Sequence, residues 1–157
     1  MSKLMTHRGY QNQLERIKVL EAKVSEIESK VGEVTTQSSE TWHDNAPYSI
    51  LVEELGIADR RLREAHDELN GCKFQEYPST LSEPRVSYGT RVKILRNGKP
   101  EEISIVGYGE ADYEKGKVLY DCPLALTLEG KLEMRAFTAQ INGKPNVFYI
   151  EKVMLIS

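Results

Sequence analysis

The sequence predicts an α+β protein in two parts, an N-terminal antiparallel helical hairpin of the coiled-coil type and a small β-rich domain. Three observations carry this. Apolar residues recur at alternating three- and four-residue steps through residues 17–34 and again through 51–69. Beyond residue 84 the period shortens to about two. Two Asn-Gly pairs, Asn97-Gly98 and Asn142-Gly143, each stand between runs of strand-forming residues, the pattern that a tight hairpin turn demands.

In chain order, Ile17, Val24 and Val31 are seven apart, and so are Leu20, Ile27 and Val34. Together they form an a/d seam, with Thr6 as the expected cap of the helix. The pattern stops in TTQSSETWHDNAPY, residues 35–48, where Ser, Thr, Asn, Asp and Pro favour a turn. Asn45 is suited to cap the next helix, and Pro47 is tolerated in a first turn whose N–H groups have no intrahelical partner. The second seam runs through Leu51, Leu55, Ala58, Leu62, Ala65 and Leu69, and Gly71 is a natural stop. Two matched seams across a short break fold back on each other. Arms of roughly 30 residues at 1.5 Å rise would extend about 45 Å. The hairpin is therefore assigned to residues 1–75, with its tip at about 35–48.

Residues 76–84, with Pro78 and Pro84 among serines, read as a linker. The β-rich domain is assigned to 85–157: RVKIL and EISIV across Asn97-Gly98, KVLY, a short helix or loop in CPLALTLEGK, and FTAQI with VFYIEKVMLI across Asn142-Gly143.

Composition narrows the function. The net charge is −3, with Lys/Arg and Asp/Glu interspersed in both halves. Overall attraction to nucleic acid is excluded, and no direct binding of free DNA is expected. No run of about 18 apolar residues occurs, and the N-terminus lacks an apolar signal region, so a cytoplasmic, non-membrane protein, monomeric as a hairpin, is expected. Cys72 and Cys122 have neither CxxC spacing nor a matching His pair.

Several stretches resemble the Gre family of bacterial transcription elongation factors. MTHRGYQNQLERI is similar to the family's Thr-x-x-Gly opening. HDNAPY resembles its tip motif, an acidic residue followed by Asn-Ala-x-Tyr. IVGYGEADYEKGKV and CPLALTLEGK are similar to two stretches of its C-terminal domain, and the last hairpin through Val147–Ile156 fits too. The resemblance implies an FK506-binding-protein-like C-terminal domain that docks on bacterial RNA polymerase at the rim of its secondary channel. It further implies a hairpin that reaches the active site, near the 3′ end of the nascent RNA. Cleavage-stimulating members use two acidic tip residues to help hold a Mg²⁺ of the polymerase. No cofactor is expected on the protein alone, which is read as a stimulator of the polymerase active site rather than an enzyme.

The tip departs from the family pattern Gly-Asp-Leu-x-Glu-Asn-Ala-x-Tyr. Asp44 keeps a carboxylate where the family has Glu, and Thr41 replaces the Asp. A hydroxyl brings no charge to Mg²⁺, and Glu40, one residue earlier, is the substitute. Asp44, Glu40 and Thr41 are the candidate metal-assisting residues, with Asp44 as the shared Mg²⁺ ligand. Trp42, His43, Asn45 and Tyr48 are the candidate tip contacts, although Trp42 and Tyr48 also suit packing of the turn, and Asp44 or Asn45 suits a cap. Arg60, Arg61 and Arg63 form a candidate RNA contact or a solvated helix face. By the resemblance, Asp112 and the Cys122-Pro123-Leu124 segment lie near the polymerase-docking surface.

The leading function is thus a secondary-channel elongation factor that promotes cleavage of backtracked transcripts. The alternative is a non-cleaving channel binder that modulates or inhibits transcription. From other classes come a prolyl isomerase, which needs an aromatic-lined pocket, and a structural coiled-coil adaptor.

Overall fold

The computed structural model describes residues 3–37 and 46–156. The chain divides into two compact units, Gln11–Gly71 and Met1–Tyr10 with Cys72–Ser157.

The first unit is a helical hairpin. Helix α1 spans His7–Gln37, its first turn belonging to the other unit, and α2 spans Ala46–Leu69. Their seams face inward: Ile17, Ile27, Ala58 and Ala65 are buried, and Leu20, Val24, Leu55 and Leu62 are half-buried. Each fully buried Ile contributes about 1.5–3 kcal/mol, which two otherwise polar helices need in order to stay paired. The arms are antiparallel. Gln13 Nε2 donates to the Ala65 carbonyl at 2.9 Å, whereas farther along α1 Leu20, Lys23 and Ile27 face Glu54, Ala58 and Arg61, earlier on α2. Pro47 is the second residue of α2, and Gly71 follows its end with φ of 71°.

The second unit is built on a five-stranded sheet. Strands β3 (Thr90–Arg96) and β4 (Lys99–Val106) form one hairpin, β6 (Ala136–Ile141) and β7 (Lys144–Leu155) the other. Asn97 and Gly98 have φ of 51° and 81°, Asn142 and Gly143 of 53° and 77°. Two successive positive-φ residues give the turn whose twist matches paired strands, and Asn-Gly adopts it at least cost. β3 and β7 join the hairpins antiparallel, with a register shift between Lys93 and Ile94. The short β5 (Lys117–Leu119) lies parallel to β4. Helix α3 (Pro123–Leu128) adds Ala125 and Leu128 to a core with Val92, Ile94, Ile103, Phe148 and Ile150.

The N-terminal residues also belong to this unit. β1 (Lys3–Met5) pairs in parallel with β2 (Cys72–Phe74), Lys3 opposite Cys72. Residues 76–84 lie in it as well, without helix or strand but tethered: the Gly107 N–H donates to Tyr77 Oη at 3.2 Å, and Tyr88 Oη donates to the Gln75 carbonyl at 2.8 Å.

Candidate functional site

Helix α1 starts within the sheet unit, where a set of polar contacts caps its first turn. Thr6, almost fully buried, accepts from the Gly9 N–H at 2.9 Å and donates its own hydroxyl proton to Glu110 Oε1. Glu76 supplies a second cap, accepting from the His7 N–H at 2.8 Å, and its Oε1 lies 2.5 Å from His7 Nδ1. These two hydrogen bonds from His7, first the backbone one, hold the Glu76 carboxyl below the ordinary glutamate range. The His7 ring stacks on Phe74 at 4.7 Å.

The IVGYGEADYEKGKV segment wraps the other side of this first turn. The Tyr108 N–H donates to the Leu4 carbonyl, and a Cβ on Gly107 would fall 2.8 Å from that same oxygen. Tyr77, Tyr88, Tyr108 and Tyr120 form a chain of edge-to-face rings beside it. Their hydroxyls are bonded: Tyr120 Oη accepts from the Leu4 N–H at 2.9 Å, and Tyr108 Oη donates to Asp121 at 2.6 Å. Desolvation pushes the Tyr77 and Tyr88 hydroxyls well above the usual phenol range, and the nearby Glu110 charge adds to it. These four tyrosines form a polar-tipped cluster around residues 3–7, with Tyr120 also packed against the core.

Beyond this cluster the same loop carries Asp112. Its backbone exchanges two 2.9 Å hydrogen bonds with Lys117, its carbonyl accepts from the Lys115 N–H at 3.0 Å, and its carboxylate is 4.0 Å from Lys115 Nζ. It opens a 3₁₀ turn, Tyr113–Lys115. Cys122 caps α3, its Sγ accepting from the Ala125 N–H at 3.4 Å, and Pro123 is the first helical residue. Cys122 is a free thiol, as is Cys72. Leu124 is half-buried against the core.

The two segments flank one open cleft of about 550 Å³. Tyr113 and Leu124 face it together with Ile103 and Val118, and Glu101, Glu102 and Glu114 are the acidic part of its lining. Desolvation raises the Tyr113 hydroxyl, with Cys122 and Asp121 adding to the shift. Tyr113, in the cleft, is exposed at 64%, and Leu126, on α3 outside the cleft lining, at 56%.

On the hairpin, Arg63 pairs with Asp59 at 3.2 Å, and Arg61 lines a groove of about 260 Å³ between the arms with Lys23, Leu20, Ile27 and Glu54. Arg60 is exposed. Neighbours on a helix are separated by about 100° at 3.6 residues per turn, so Arg60 and Arg63 share a face while Arg61 turns into the groove. Tyr48 is half-buried in the first turn of α2. Glu40, Thr41, Trp42, His43, Asp44 and Asn45 lie outside the described residues. Among the described residues no three His, Cys, Asp or Glu side chains gather as a metal site, and no helix is long and apolar enough to cross a membrane.

The family model "Transcription elongation factor, GreA/GreB, C-term" matches residues 81–154. The chain is 33% identical over 141 residues to the transcription elongation factor GreA of a Nitratiruptor species, covering 87% of this chain and 83% of that protein. It is 29% identical over 157 residues to GreA of Vibrio parahaemolyticus, covering 97% of each. The solved structure of the transcription factor Gfh1 matches with a TM-score of 0.48 at 15% identity, over 98% of this chain and 97% of that one. At one-third identity over most of both chains, with the Thr-x-x-Gly opening and its glycine-rich partner loop in place, the protein belongs to the GreA/GreB family of transcription elongation factors.

Proposed function

We propose that this elongation factor binds RNA polymerase through the cleft beside α3, enters the secondary channel with its hairpin, and promotes cleavage of backtracked transcripts. The observation that carries the reading is the antiparallel pairing of α1 and α2, which makes residues 38–45 the connection between two long arms. That connection holds two carboxylates, Glu40 and Asp44, beside Asn45-Ala46-Pro47-Tyr48. The apolar, acid-rimmed cleft of Tyr113, Leu124 and Glu114 is the docking surface, in line with the parts proposed for Asp112 and Cys122–Leu124.

The donor set suits a polymerase-held Mg²⁺, since carboxylate oxygens are hard ligands for a hard cation. Such an ion supplies water activation and charge stabilisation in phosphodiester cleavage. In this reading Asp44 offers one carboxylate to the ion and Glu40 offers the second. Trp42, His43 and Tyr48 position the connection against the polymerase. The protein performs no chemistry of its own, carries no resident cofactor and acts in the cytoplasm as a monomer, with the 3′ end of nascent RNA as its neighbour.

Thr41 favours a second reading, a channel binder that modulates transcription without cleavage, because the hydroxyl removes one of two charges. One experiment separates them. A stalled, backtracked complex of the cognate polymerase is incubated with the protein, Asp44→Ala, or Thr41→Asp. Stimulated cleavage that is lost in Asp44→Ala and raised in Thr41→Asp supports the cleavage reading. Competition for the channel without cleavage by the wild type selects the second, and no polymerase binding at all overturns both.

A further inference from the structure

The end of the sheet that carries both Asn-Gly turns has a charge arrangement that the cleft and the hairpin do not use. Lys99 on β4 pairs with Arg96 on β3, Arg96 with Phe148 on β7, and Phe148 with Phe137 on β6. Cross-strand partners share a face, so these four make one row across the sheet. Lys144 lies farther along β7 on the same face, since side chains two apart on a strand point together. Lys131 reaches the row from the segment after α3, its Nζ 4.8 Å from the Phe137 ring centre.

Arg96 is held in place. Its Nε donates to Asn146 Oδ1 at 3.2 Å, and Asn97 Nδ2 donates to the same oxygen at 3.0 Å. Its guanidinium lies 5.8 Å from the centre of the buried Phe148 ring, which in turn stacks on Phe137 at 5.2 Å. Asn146 is itself buried and is tied to the Lys144 carbonyl. One edge of the guanidinium is thereby spent, and the terminal nitrogens keep their donors. A pre-set planar fork of this kind matches the oxygens of a phosphate better than a mobile ammonium does.

Among the described residues no carboxylate ion-pairs with Arg96, Lys99, Lys131 or Lys144. Glu101 shares the face of β4 two residues beyond Lys99, and Glu129 and Glu133 flank Lys131 in the chain. The cluster remains positive against them. From Lys99 to Lys144 is two inter-strand steps and four residues along a strand, a diagonal of about 16 Å. No single small anion spans that distance. A single strand carries one charge per nucleotide, about every 3.4 Å of rise when stacked and farther apart when extended, so about three to five phosphates would cover it. An acidic peptide offers a lower density of charge on one side.

We propose that this turn end of the sheet binds the phosphate backbone of a single-stranded nucleic acid without sequence preference. The net charge of −3 does not oppose it, because charges farther away than about 8–10 Å are screened at physiological salt. The site needs neither the polymerase nor the connection between the helices, so its test is independent of the proposed function.

The test is fluorescence anisotropy of a labelled mixed-sequence RNA, about 20 nucleotides long, with the full-length protein at about 25, 50 and 100 mM salt, the range in which phosphate contacts are most visible. Variants are Lys99→Gln/Lys144→Gln, both at exposed positions, and Arg96→Lys, which keeps the charge but loses the fork. Lys18→Gln/Lys30→Gln on the hairpin is the control. Expected is weak, salt-sensitive binding, lowered about tenfold by the first pair, with the salt slope reduced by about 1 for each lysine removed. Arg96→Lys should weaken binding and leave the slope in place. No binding at the lowest salt, or equal loss in the hairpin control, overturns the proposal. So does unchanged binding in Lys99→Gln/Lys144→Gln. Displacement of the RNA by polyglutamate at equal charge concentration would overturn the nucleic-acid assignment in favour of an acidic protein surface.

Discussion

Gly9 and Gly109 meet backbone to backbone: a Cβ built on Gly109 would lie 2.1 Å from the Gly9 carbonyl oxygen, and one built on Gly9 would lie 2.4 Å from the carbonyl of Tyr108. The first turn of α1 is thus seated in the loop that follows β4 with no room for a side chain on either partner. This is the physical content of a Thr-x-x-Gly opening and a Gly-Tyr-Gly-Glu loop occurring in one chain. Thr6, three residues before Gly9, bonds Glu110, the residue after Gly109.

Gly9→Ala tests the seat. In an open helix alanine would gain about 1 kcal/mol over glycine. Here the new methyl meets backbone, which cannot rotate away, and overpacking of this kind costs about 1–3 kcal/mol. The expected net is a loss of about 1 kcal/mol in chemical denaturation. Gly109→Ala should cost more, because its φ of 86° adds backbone strain to the clash. Gly32→Ala, where a Cβ meets nothing within 4 Å, should be neutral or stabilising.

The Thr6 hydroxyl serves as both acceptor and donor, so Thr6→Val removes a helix cap and strips Glu110 of a partner at nearly constant volume. Loss of an N-cap costs about 0.5–2 kcal/mol, and the half-buried Glu110 carboxylate adds to it. A loss of about 2 kcal/mol is expected, against less than half of that for Thr6→Ser, which keeps the hydroxyl. Equal losses in the two variants would mean that packing of the threonine methyl, not the hydrogen bonds, holds the turn.

Legibility in the sequence followed the range of the interactions. Both hairpins of the sheet were readable because Asn97-Gly98 and Asn142-Gly143 state a turn in two adjacent residues. The helical seams were readable because the period is local, and Thr6 was readable as a cap for the same reason. The pairing of Lys3–Met5 with Cys72–Phe74 was not, since it joins two three-residue strands across the whole hairpin. Residues 76–84 have the prolines and serines of a linker, yet Tyr77 is pinned by a bond from Gly107 that no local pattern announces. Of Asp112 and Cys122–Leu124, marked by resemblance, Leu124 lines the cleft, while Tyr113 and Ile103, which also line it, look like any loop tyrosine and strand isoleucine.

Gln13 continues the α1 seam one step before Ile17, is buried to 1% exposure, and reaches the Ala65 carbonyl. Ala65 is four residues before the end of α2, so its carbonyl also belongs to the helix ladder. Gln13→Leu therefore leaves no bare acceptor, and the added apolar burial should make the hairpin neutral to about 1 kcal/mol more stable. Gln13→Glu places a carboxylate against a carbonyl oxygen in the seam and should cost at least about 2 kcal/mol at neutral pH. Buried polar residues in such seams fix register, so Gln13→Leu should broaden the amide NMR lines of α2 even where the melting point rises.

Glu76 gives a pH dependence whose sign follows from its two bonds to His7. The carboxyl is held below its ordinary value of 4.5 in the folded protein, the backbone hydrogen bond being the larger cause. A depressed folded pKa means that the unfolded chain takes up the proton first as pH falls. The contribution is therefore complete above 4.5 and is lost as pH drops through the depressed value. Glu76→Gln keeps an acceptor for the His7 N–H but cannot carry the charge. Urea midpoints of the wild type and Glu76→Gln should differ above the ordinary value of 4.5 and converge as pH falls through the depressed one, where both side chains become neutral. A gap that stays constant from about pH 7 to about pH 3 would show that the carboxylate charge contributes nothing, and that the cap on α1 rests on geometry alone.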